Sequence, residues 1–231
     1  MESQGKTAAI VTLIVGLLVG GAIGWAVAHN TDSTDMMSMN DSMSVSEDNP
    51  NAATKAADLR ANLVDMGVEH MDLTYAAVAS TLQGTKSAQA DGAALYKNGT
   101  DIGAAVGSVY GKDAETTFNK VWKLHLDQFV AYATAASKND EAGKKMALNT
   151  IDSQYTKPLA AYLAKANPNL PEGTLYKGLK AHVDMTAVMI DDEAKGDYMA
   201  ADKLRDEGAD HLRDLFSTLA EGIVKQFPDK F

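Results

Sequence analysis

Apolar residues recur every three or four positions through most of the chain, from residue 53 to the C-terminus. This spacing places them along one stripe of an α-helix, and the alternation typical of strands is almost absent. The pattern predicts helices at 53–83, 88–108, 113–137, 140–166, 172–194 and 197–225. Because the breaks between them are short, neighbouring helices should be antiparallel. The sequence therefore predicts an all-α, up-and-down bundle of about six helices over 53–231.

Local signals refine the helix ends. Breaks are predicted at Gly84, Gly111 and Gly196 and near residues 138 and 167. Asp113 and Asp140 stand where N-caps are expected, and Pro158 should disturb the fourth helix because proline has no backbone N–H.

Three histidines recur at a nearly constant interval. His70, His125 and His182 are 55 and 57 residues apart, each near the middle of a predicted helix. A large apolar residue stands seven positions before each of them. We interpret this period as three weakly similar helical hairpins.

These histidines and His211 all fall on the apolar stripes of their helices, so they should face the bundle core. The aspartates two residues after the first three lie about 200° further around the helix, so they are not chelating partners. Imidazole is a common metal ligand, and bundle interiors often hold metals. We predict a metal site at His70, His125, His182 and His211. The alternative is that each is a structural residue bonded to a polar neighbour.

The N-terminal segment is apolar. No charged residue occurs from 7 to 28, a length that suits a transmembrane helix of about 20 residues. Lys6 precedes the run and acidic residues follow it, so the C-terminal part is predicted outside the cytoplasm. The alternative is a signal segment cleaved near Ala28. Gly16, Gly20 and Gly24 share one helix face, which could support a homodimer in the membrane.

Residues 29–52 are rich in Ser, Asp, Asn and Met, a composition that predicts a disordered linker. Four of the chain's eleven methionines lie within eight residues of it: Met36, Met37, Met39 and Met43. Thioethers are soft ligands that suit Cu(I), so these residues are a second predicted copper site. The alternative is a linker whose methionines have no metal role.

Composition excludes several functions. The chain has no cysteine, which rules out disulfides, zinc–thiolate sites and cysteine catalysis. Its net charge of −10 argues against nucleic acid as a partner. No E-x-x-H pair, H-E-x-x-H, G-x-S-x-G or P-loop pattern occurs, so we predict no enzyme activity.

Residues 57–231 resemble a family of extracytoplasmic helical bacterial domains that often carry the label "copper amine oxidase". The resemblance rests on Gly-Ser-Val-Tyr-Gly at 107–111, Trp122 with Lys123 and His125, Ala-Asn-Pro-Asn-Leu-Pro at 166–171, and the C-terminal Lys-Gln-Phe-Pro-Asp-Lys-Phe. Amine oxidases form their quinone from an Asn-Tyr-Asp/Glu motif, which this chain lacks. The resemblance therefore implies an exported helical bundle and a connection with copper, without oxidase activity.

The sequence as a whole predicts a single-pass protein of the cell membrane whose extracytoplasmic bundle binds a metal, with copper favoured over zinc or haem. Its protein partner is unknown. Two alternatives stay open: a metal-free structural or interaction bundle at the cell surface, and a haem-binding bundle that uses two of the histidines.

Overall fold

A computed structural model describes residues 54–231 of the chain. The predicted membrane anchor at 1–28, with its three glycines, and the predicted linker at 29–52, with its four methionines, lie outside the described residues. No helix within 54–231 is long and apolar enough to cross a membrane.

The described part of the chain is built from helices and contains no strand, so the prediction of an all-α bundle is confirmed. Six helices follow one another, the fourth being continuous through a short π-helical segment. They are α1 (Lys55–Leu82), α2 (Ala88–Tyr110), α3 (Lys112–Ala136), α4 (Glu141–Ile151, the π segment Asp152–Thr156 and Lys157–Ala166), α5 (Glu172–Lys195) and α6 (Tyr198–Gln226).

Side-chain caps begin three of these helices. Thr54 Oγ1 accepts a hydrogen bond from Ala57 N at 3.1 Å, and Asp140 Oδ1 accepts one from Gly143 N at 3.0 Å. Asp197 caps α6 in the same way. Each bond satisfies one of the N–H groups that a helix start leaves unpaired. The predicted N-cap at Asp140 is confirmed.

The predicted cap at Asp113 is wrong, because α3 already begins at Lys112. Gly111 has φ 93°, a backbone conformation that residues with a side chain rarely adopt. This single glycine joins α2 to α3 and leaves Asp113 inside the first turn. An acidic residue there still interacts favourably with the positive end of the helix dipole.

The sequence predicts a kink at Pro158, and the structure shows a π segment that ends just before this proline. Proline cannot donate a backbone hydrogen bond, and its ring would clash with the carbonyl four residues earlier in a regular helix. A π turn accommodates such a local mismatch without ending the helix. As a result, Tyr155 and Thr156 are both fully buried.

Each helix packs against the next one in sequence, and α6 packs against α1, so the six helices close a ring. Connections are five residues or shorter. Helix α5 also contacts α1 and α3, which brings the three histidine-bearing helices of the repeat together in the interior. A continuous apolar core fills the space between the helices.

Candidate functional site

His70 on α1, His125 on α3 and His182 on α5 meet at the centre of the bundle, and we call these three residues the histidine cluster. The ring centroid of His70 lies 5.8 Å from that of His125 and 5.8 Å from that of His182. All three residues are buried, with exposed fractions of 1%, 0% and 3%. The structure thus brings together three residues that the sequence predicted as metal ligands.

Two of the three helices repeat a local contact at the cluster. Thr74 Oγ1 donates to the His70 carbonyl at 2.7 Å, and Thr186 Oγ1 donates to the His182 carbonyl at 2.9 Å. Both threonines follow their histidine by four residues and are buried beside it. A hydroxyl in a helix core is satisfied in this way by the carbonyl of the preceding turn.

His70 is held in one orientation by Asn98 on α2. The Asn98 Nδ2 group donates to the Met66 carbonyl at 3.1 Å and to Glu69 Oε2 at 3.0 Å. Its Oδ1 is therefore the acceptor at 3.2 Å from His70 Nδ1, which must carry the proton. His70 Nε2 is left with its lone pair free. Metal-binding histidines are commonly oriented by such a bond from their other ring nitrogen.

The other two members of the cluster lack such support. Neither ring nitrogen of His125 makes a hydrogen bond of good geometry, although the Trp122 backbone lies close enough to oppose the lowering of its pKa, and Nδ1 of His182 has no partner. Burying a polar group without a partner costs about 1–3 kcal/mol in proteins. Other buried polar atoms of the bundle, among them Trp122 Nε1 and Ser217 Oγ, also lack a partner, so the distinguishing feature of the histidines is that three of them meet.

Burial keeps the cluster neutral. Loss of solvation lowers the pKa of His70 to about 4, although its bond to Asn98 opposes the change. Desolvation also lowers the pKa of His182 to about 3, with smaller contributions from His70 and His211. The pKa of His125 falls well below its usual value because of burial and the neighbouring His70 and His182. Neutral imidazole is the form that binds metal ions.

Aromatic rings from α3 and α4 enclose His125. Tyr155 stacks on it with ring centroids 4.3 Å apart, and Trp122 contacts its ring at 4.7 Å. Trp122 fits because α2 has a glycine opposite it: a Cβ at Gly99 would lie 2.6 Å from the indole. Tyr155 and Asn98 were not predicted as site residues. The position of Asn98 between Leu95 and Ile102 on an apolar stripe was the available signal.

Two cavities adjoin the histidine cluster. One of about 60 Å³ is lined by all three histidines together with small or apolar residues and three threonines. The other, of about 70 Å³, is almost entirely apolar and is also lined by His70 and His182. Neither lining contains an Asp, Glu, Lys or Arg side chain. His70 and His182 therefore lie between two small chambers in an uncharged interior.

The ring separations are compatible with a shared metal ion, but the side chains are not arranged around one. With metal–nitrogen bonds of about 2.0 Å, a ring centroid lies about 3.2 Å from the ion, so two ligand rings on opposite sides of it are about 6.4 Å apart and three rings spread evenly around it about 5.5 Å apart. The two separations of 5.8 Å from His70 lie between these values. Within residues 54–231, however, no group of three or more His, Cys, Asp or Glu side chains is positioned to hold a metal. Binding would require the rings to rotate toward the cavity.

His211 lies near His182 but has a hydrogen-bond partner of its own. Its Nε2–H donates to the Gly178 carbonyl on α5 at 2.8 Å, and the residue is half-buried. It lines neither of the two cavities. The aspartates two residues after the clustered histidines point elsewhere, as predicted. Asp184, for example, pairs with Lys180 on the surface at 2.5 Å.

A second polar group consists of the buried Asn167 and the partly buried Tyr110 and Gln226, and we call it the amide cluster. Tyr110 donates to Gln226 Oε1 at 2.8 Å, and Asn167 Nδ2 lies 3.2 Å from the Tyr110 hydroxyl. Gln226 Nε2 donates to the Ala166 carbonyl, and Asn167 Oδ1 accepts from Asn169 N. These bonds join α2, α6 and the connection between α4 and α5.

No family model matches the chain, and neither the curated proteins nor the solved structures contain a match. The resemblance to the helical domains labelled "copper amine oxidase" therefore stays a prediction, and the geometry of the site has to support a function by itself.

Proposed function

We propose that the protein binds copper in its helical bundle, as Cu(I), and is held outside the cytoplasm by an N-terminal membrane anchor. The histidine cluster is the principal site, and the linker methionines Met36, Met37, Met39 and Met43 form a second one. The anchor and its orientation rest on the uncharged run at 7–28 and the charges on either side of it.

The observation that carries the proposal is His125. Its side chain is completely buried, and neither ring nitrogen has a hydrogen-bond partner. Its neighbour His70 has one nitrogen fixed by Asn98 and the other free. Three neutral imidazoles that share a cavity while keeping nitrogen lone pairs unused are a suitable ligand set for a transition metal.

The uncharged surroundings favour a monovalent ion. A buried charge is costly unless it is compensated, and the cost rises with the charge. No carboxylate lines the cavity that the three histidines share. Zn²⁺ would therefore carry two uncompensated charges there, whereas Cu(I) carries one. The copper-binding character of a methionine-rich linker agrees with this preference.

Haem fits the site less well. The larger cavity has a volume of about 70 Å³. An engineered protein cavity of about 150 Å³ accommodates benzene, and a porphyrin is several times larger than benzene. Tyr155 and Trp122 already occupy the space beside His125. A haem would have to displace these aromatic side chains.

A metal-free structural bundle is the competing function. It is favoured by the absence of a preformed metal arrangement in the described residues. His211, which is bonded to a backbone carbonyl, shows the role that a structural histidine has in this fold. In that case substitutions in the histidine cluster would change stability only.

Anaerobic titration of the full chain in detergent micelles with Cu(I), against a coloured Cu(I) chelator, tests the proposal. The background variant carries leucine at the four linker methionines, so that only the bundle is measured. We expect one tightly bound Cu(I) per chain. His125→Phe and His182→Phe should each weaken binding at least a hundredfold, because each removes one of three ligands.

His211→Gln is the matched control, since it changes a histidine of the same bundle while keeping an N–H group that can reach Gly178. It should leave the affinity unchanged within about threefold. The proposal fails if the background variant binds no Cu(I), or if His125→Phe and His211→Gln have equal effects. Restoring the methionines should add a second binding event. If it does not, the linker has no copper role.

A further inference from the structure

The larger cavity beside the histidine cluster runs lengthwise through the bundle. Its lining takes side chains from all six helices and from the connection between α4 and α5. Along α1 the lining extends from Leu59 to His70, about 16 Å at the helical rise of about 1.5 Å per residue. Tyr110 of the amide cluster also lines it, as does His182. The cavity is therefore a narrow apolar passage that reaches from the amide cluster to the histidine cluster.

The volume of this passage limits what it can hold. It measures about 70 Å³. An engineered protein cavity of about 150 Å³ binds benzene, so about half that volume has room for roughly three to five heavy atoms. Because the volume is spread over several helical turns, the molecule has to be slender. No Asp, Glu, Lys or Arg side chain lines the cavity to compensate a charge, so the molecule should also be neutral.

Two of the polar groups that line this cavity have unused hydrogen-bonding capacity. Tyr155 is 1% exposed, and its hydroxyl makes no hydrogen bond to any residue within 54–231. Burial alone raises the pKa of Tyr155, so the hydroxyl keeps its proton and is an unused donor. His70 Nδ1 donates to Asn98, which leaves Nε2 as an unused acceptor. One wall of the apolar passage thus offers a donor and an acceptor.

A hydroxyl group suits such a pair, because it accepts one hydrogen bond and donates another. A water molecule has the same capacity, but it occupies only about 10–15 Å³ and would leave most of the apolar cavity empty. An aliphatic chain attached to the hydroxyl would fill the remainder. Transfer of that chain from water to the apolar lining is favourable.

We propose that this cavity binds a short, unbranched aliphatic alcohol, whose hydroxyl accepts a hydrogen bond from the Tyr155 hydroxyl and donates one to His70 Nε2. The chain extends from there toward Tyr110 among leucine, isoleucine and valine side chains. The cavity accepts slender neutral molecules and rejects branched, cyclic and charged ones. Binding is non-covalent and reversible. The metal-free protein has all the groups that this site needs, so the proposal does not rest on the copper site.

1-Propanol is the probe, and its binding is followed by methyl NMR of the full chain in detergent micelles. The isoleucine methyl groups are labelled with carbon-13, and metals are removed beforehand with a chelator. Signals of Ile102 and Ile223, which line the cavity, should shift and reach saturation. Those of Ile151, which is buried outside the cavity, should not. 2-Propanol, the branched isomer, should bind at least fivefold more weakly.

Tyr155→Phe tests the hydrogen bond without changing the shape of the cavity, since it keeps the ring that stacks on His125. It should lower the affinity for 1-propanol about tenfold. Tyr132→Phe is the matched control, because Tyr132 is also buried but does not line the cavity. It should leave the affinity unchanged.

Val106→Phe fills the cavity from α2 and should abolish the saturable shifts. Leu204→Phe adds the same kind of ring at a partly buried position on α6 that does not line the cavity. It should bind 1-propanol as the parent chain does. Circular dichroism identifies any variant that fails to fold.

The proposal fails if 1-propanol causes no saturable shift at Ile102, a result that would leave water as the occupant of the cavity. It also fails if Tyr155→Phe and Tyr132→Phe bind 1-propanol equally, or if a folded Val106→Phe binds it as tightly as the parent chain. Because these measurements use metal-free protein, they succeed or fail separately from the Cu(I) titration.

Discussion

The amide cluster is partly buried and the histidine cluster is fully buried, and both join several helices, yet they differ in how their polar atoms are satisfied. In the amide cluster, Tyr110, Asn167 and Gln226 are bonded to each other and to the backbone. In the histidine cluster, His125 has no partner for either nitrogen. A polar cluster whose atoms are all hydrogen-bonded stabilises the contact between its helices. A buried cluster with unpaired atoms lowers the free energy of unfolding, so its presence calls for a role other than stability.

The difference suggests a criterion for this fold: structural polar residues have hydrogen-bond partners, and functional ones keep atoms without a partner. Proteins tend to break local rules at functional sites and to compensate elsewhere. His70 and its bond to Asn98 are an intermediate case, because one nitrogen is fixed and the other is left free. The following predictions test whether the two clusters contribute to the free energy of unfolding with opposite signs, as their hydrogen bonds indicate.

The largest expected effect is on the pH dependence of stability. The three clustered histidines have pKa values lowered from 6.5, to about 4 for His70 and about 3 for His182. Between pH 6.5 and 5 the unfolded chain binds protons that the folded chain does not, so stability falls as pH falls. Each histidine contributes up to about 1.4 kcal/mol per pH unit, a value approached near pH 5, where the unfolded imidazole is almost fully protonated. Urea unfolding of the metal-free protein should therefore show a slope that rises to about 4 kcal/mol per pH unit from the three together near pH 5.

Carboxylates also begin to titrate in this range, so the informative quantity is a difference between variants. His125→Phe should remove up to about 1.4 kcal/mol per pH unit of the slope. Equal slopes in the parent chain and His125→Phe would show that His125 is not held neutral in the folded state.

The next largest effect is expected at the amide cluster. Asn167 is 1% exposed, and Asn167→Leu leaves the N–H of Asn169 without its acceptor and removes a donor to Tyr110. We expect a loss of about 2 kcal/mol in the free energy of unfolding. Chemical denaturation at neutral pH measures it. A neutral result would mean that this cluster is not the structural element that its bonds indicate.

His125→Phe should raise the free energy of unfolding, whereas Asn167→Leu lowers it. Phenylalanine keeps the ring that stacks on Tyr155 and removes two buried nitrogens that have no partner. We expect the metal-free protein to gain about 1 kcal/mol at neutral pH, because replacing unsatisfied polar atoms by an apolar group of similar shape is favourable. A loss of 2 kcal/mol or more would instead assign His125 a structural role, and the contrast between the clusters would disappear.

Much of this architecture follows from the sequence. The 3.6-residue period of apolar residues predicts all six helices, with ends close to the observed ones. It does so because each helix turns one apolar stripe toward the core. The start of α3 was misplaced because the conformation of Gly111 overrides the capping preference of Asp113. The apolar periodicity does not show the π segment before Pro158, because a single π turn leaves the helix continuous.

The site was predicted less completely. Apolar stripes placed His70, His125 and His182 in the core, but the same argument grouped His211 with them. Helix periodicity gives the direction of a side chain and not its depth or its partner, so the bond between His211 and Gly178 could not be foreseen. Tyr155 and Asn98 reach the cluster through contacts between helices that are distant in sequence.

The smallest effect is expected from the aspartates of the H-x-D pattern. Asp184 pairs with Lys180 on the surface, with about half of its side chain exposed. Asp184→Asn should change the free energy of unfolding by less than about 0.5 kcal/mol, as exposed ion pairs generally do. Copper affinity should not change either. A tenfold loss of Cu(I) affinity would mean that Asp184 takes part in the copper site. It would contradict the assignment of His182, without its neighbouring aspartate, as the ligand from α5.

X-ray absorption at the copper edge tests the central claim most directly. The sample is the Cu(I)-loaded full chain with leucine at the four linker methionines. The account predicts about three imidazole nitrogens near 2.0 Å, a distance typical of metal–histidine bonds, and no sulfur. His125→Phe should reduce the imidazole contribution. A spectrum without imidazole, or one that is the same in His125→Phe, would contradict a copper site in the histidine cluster.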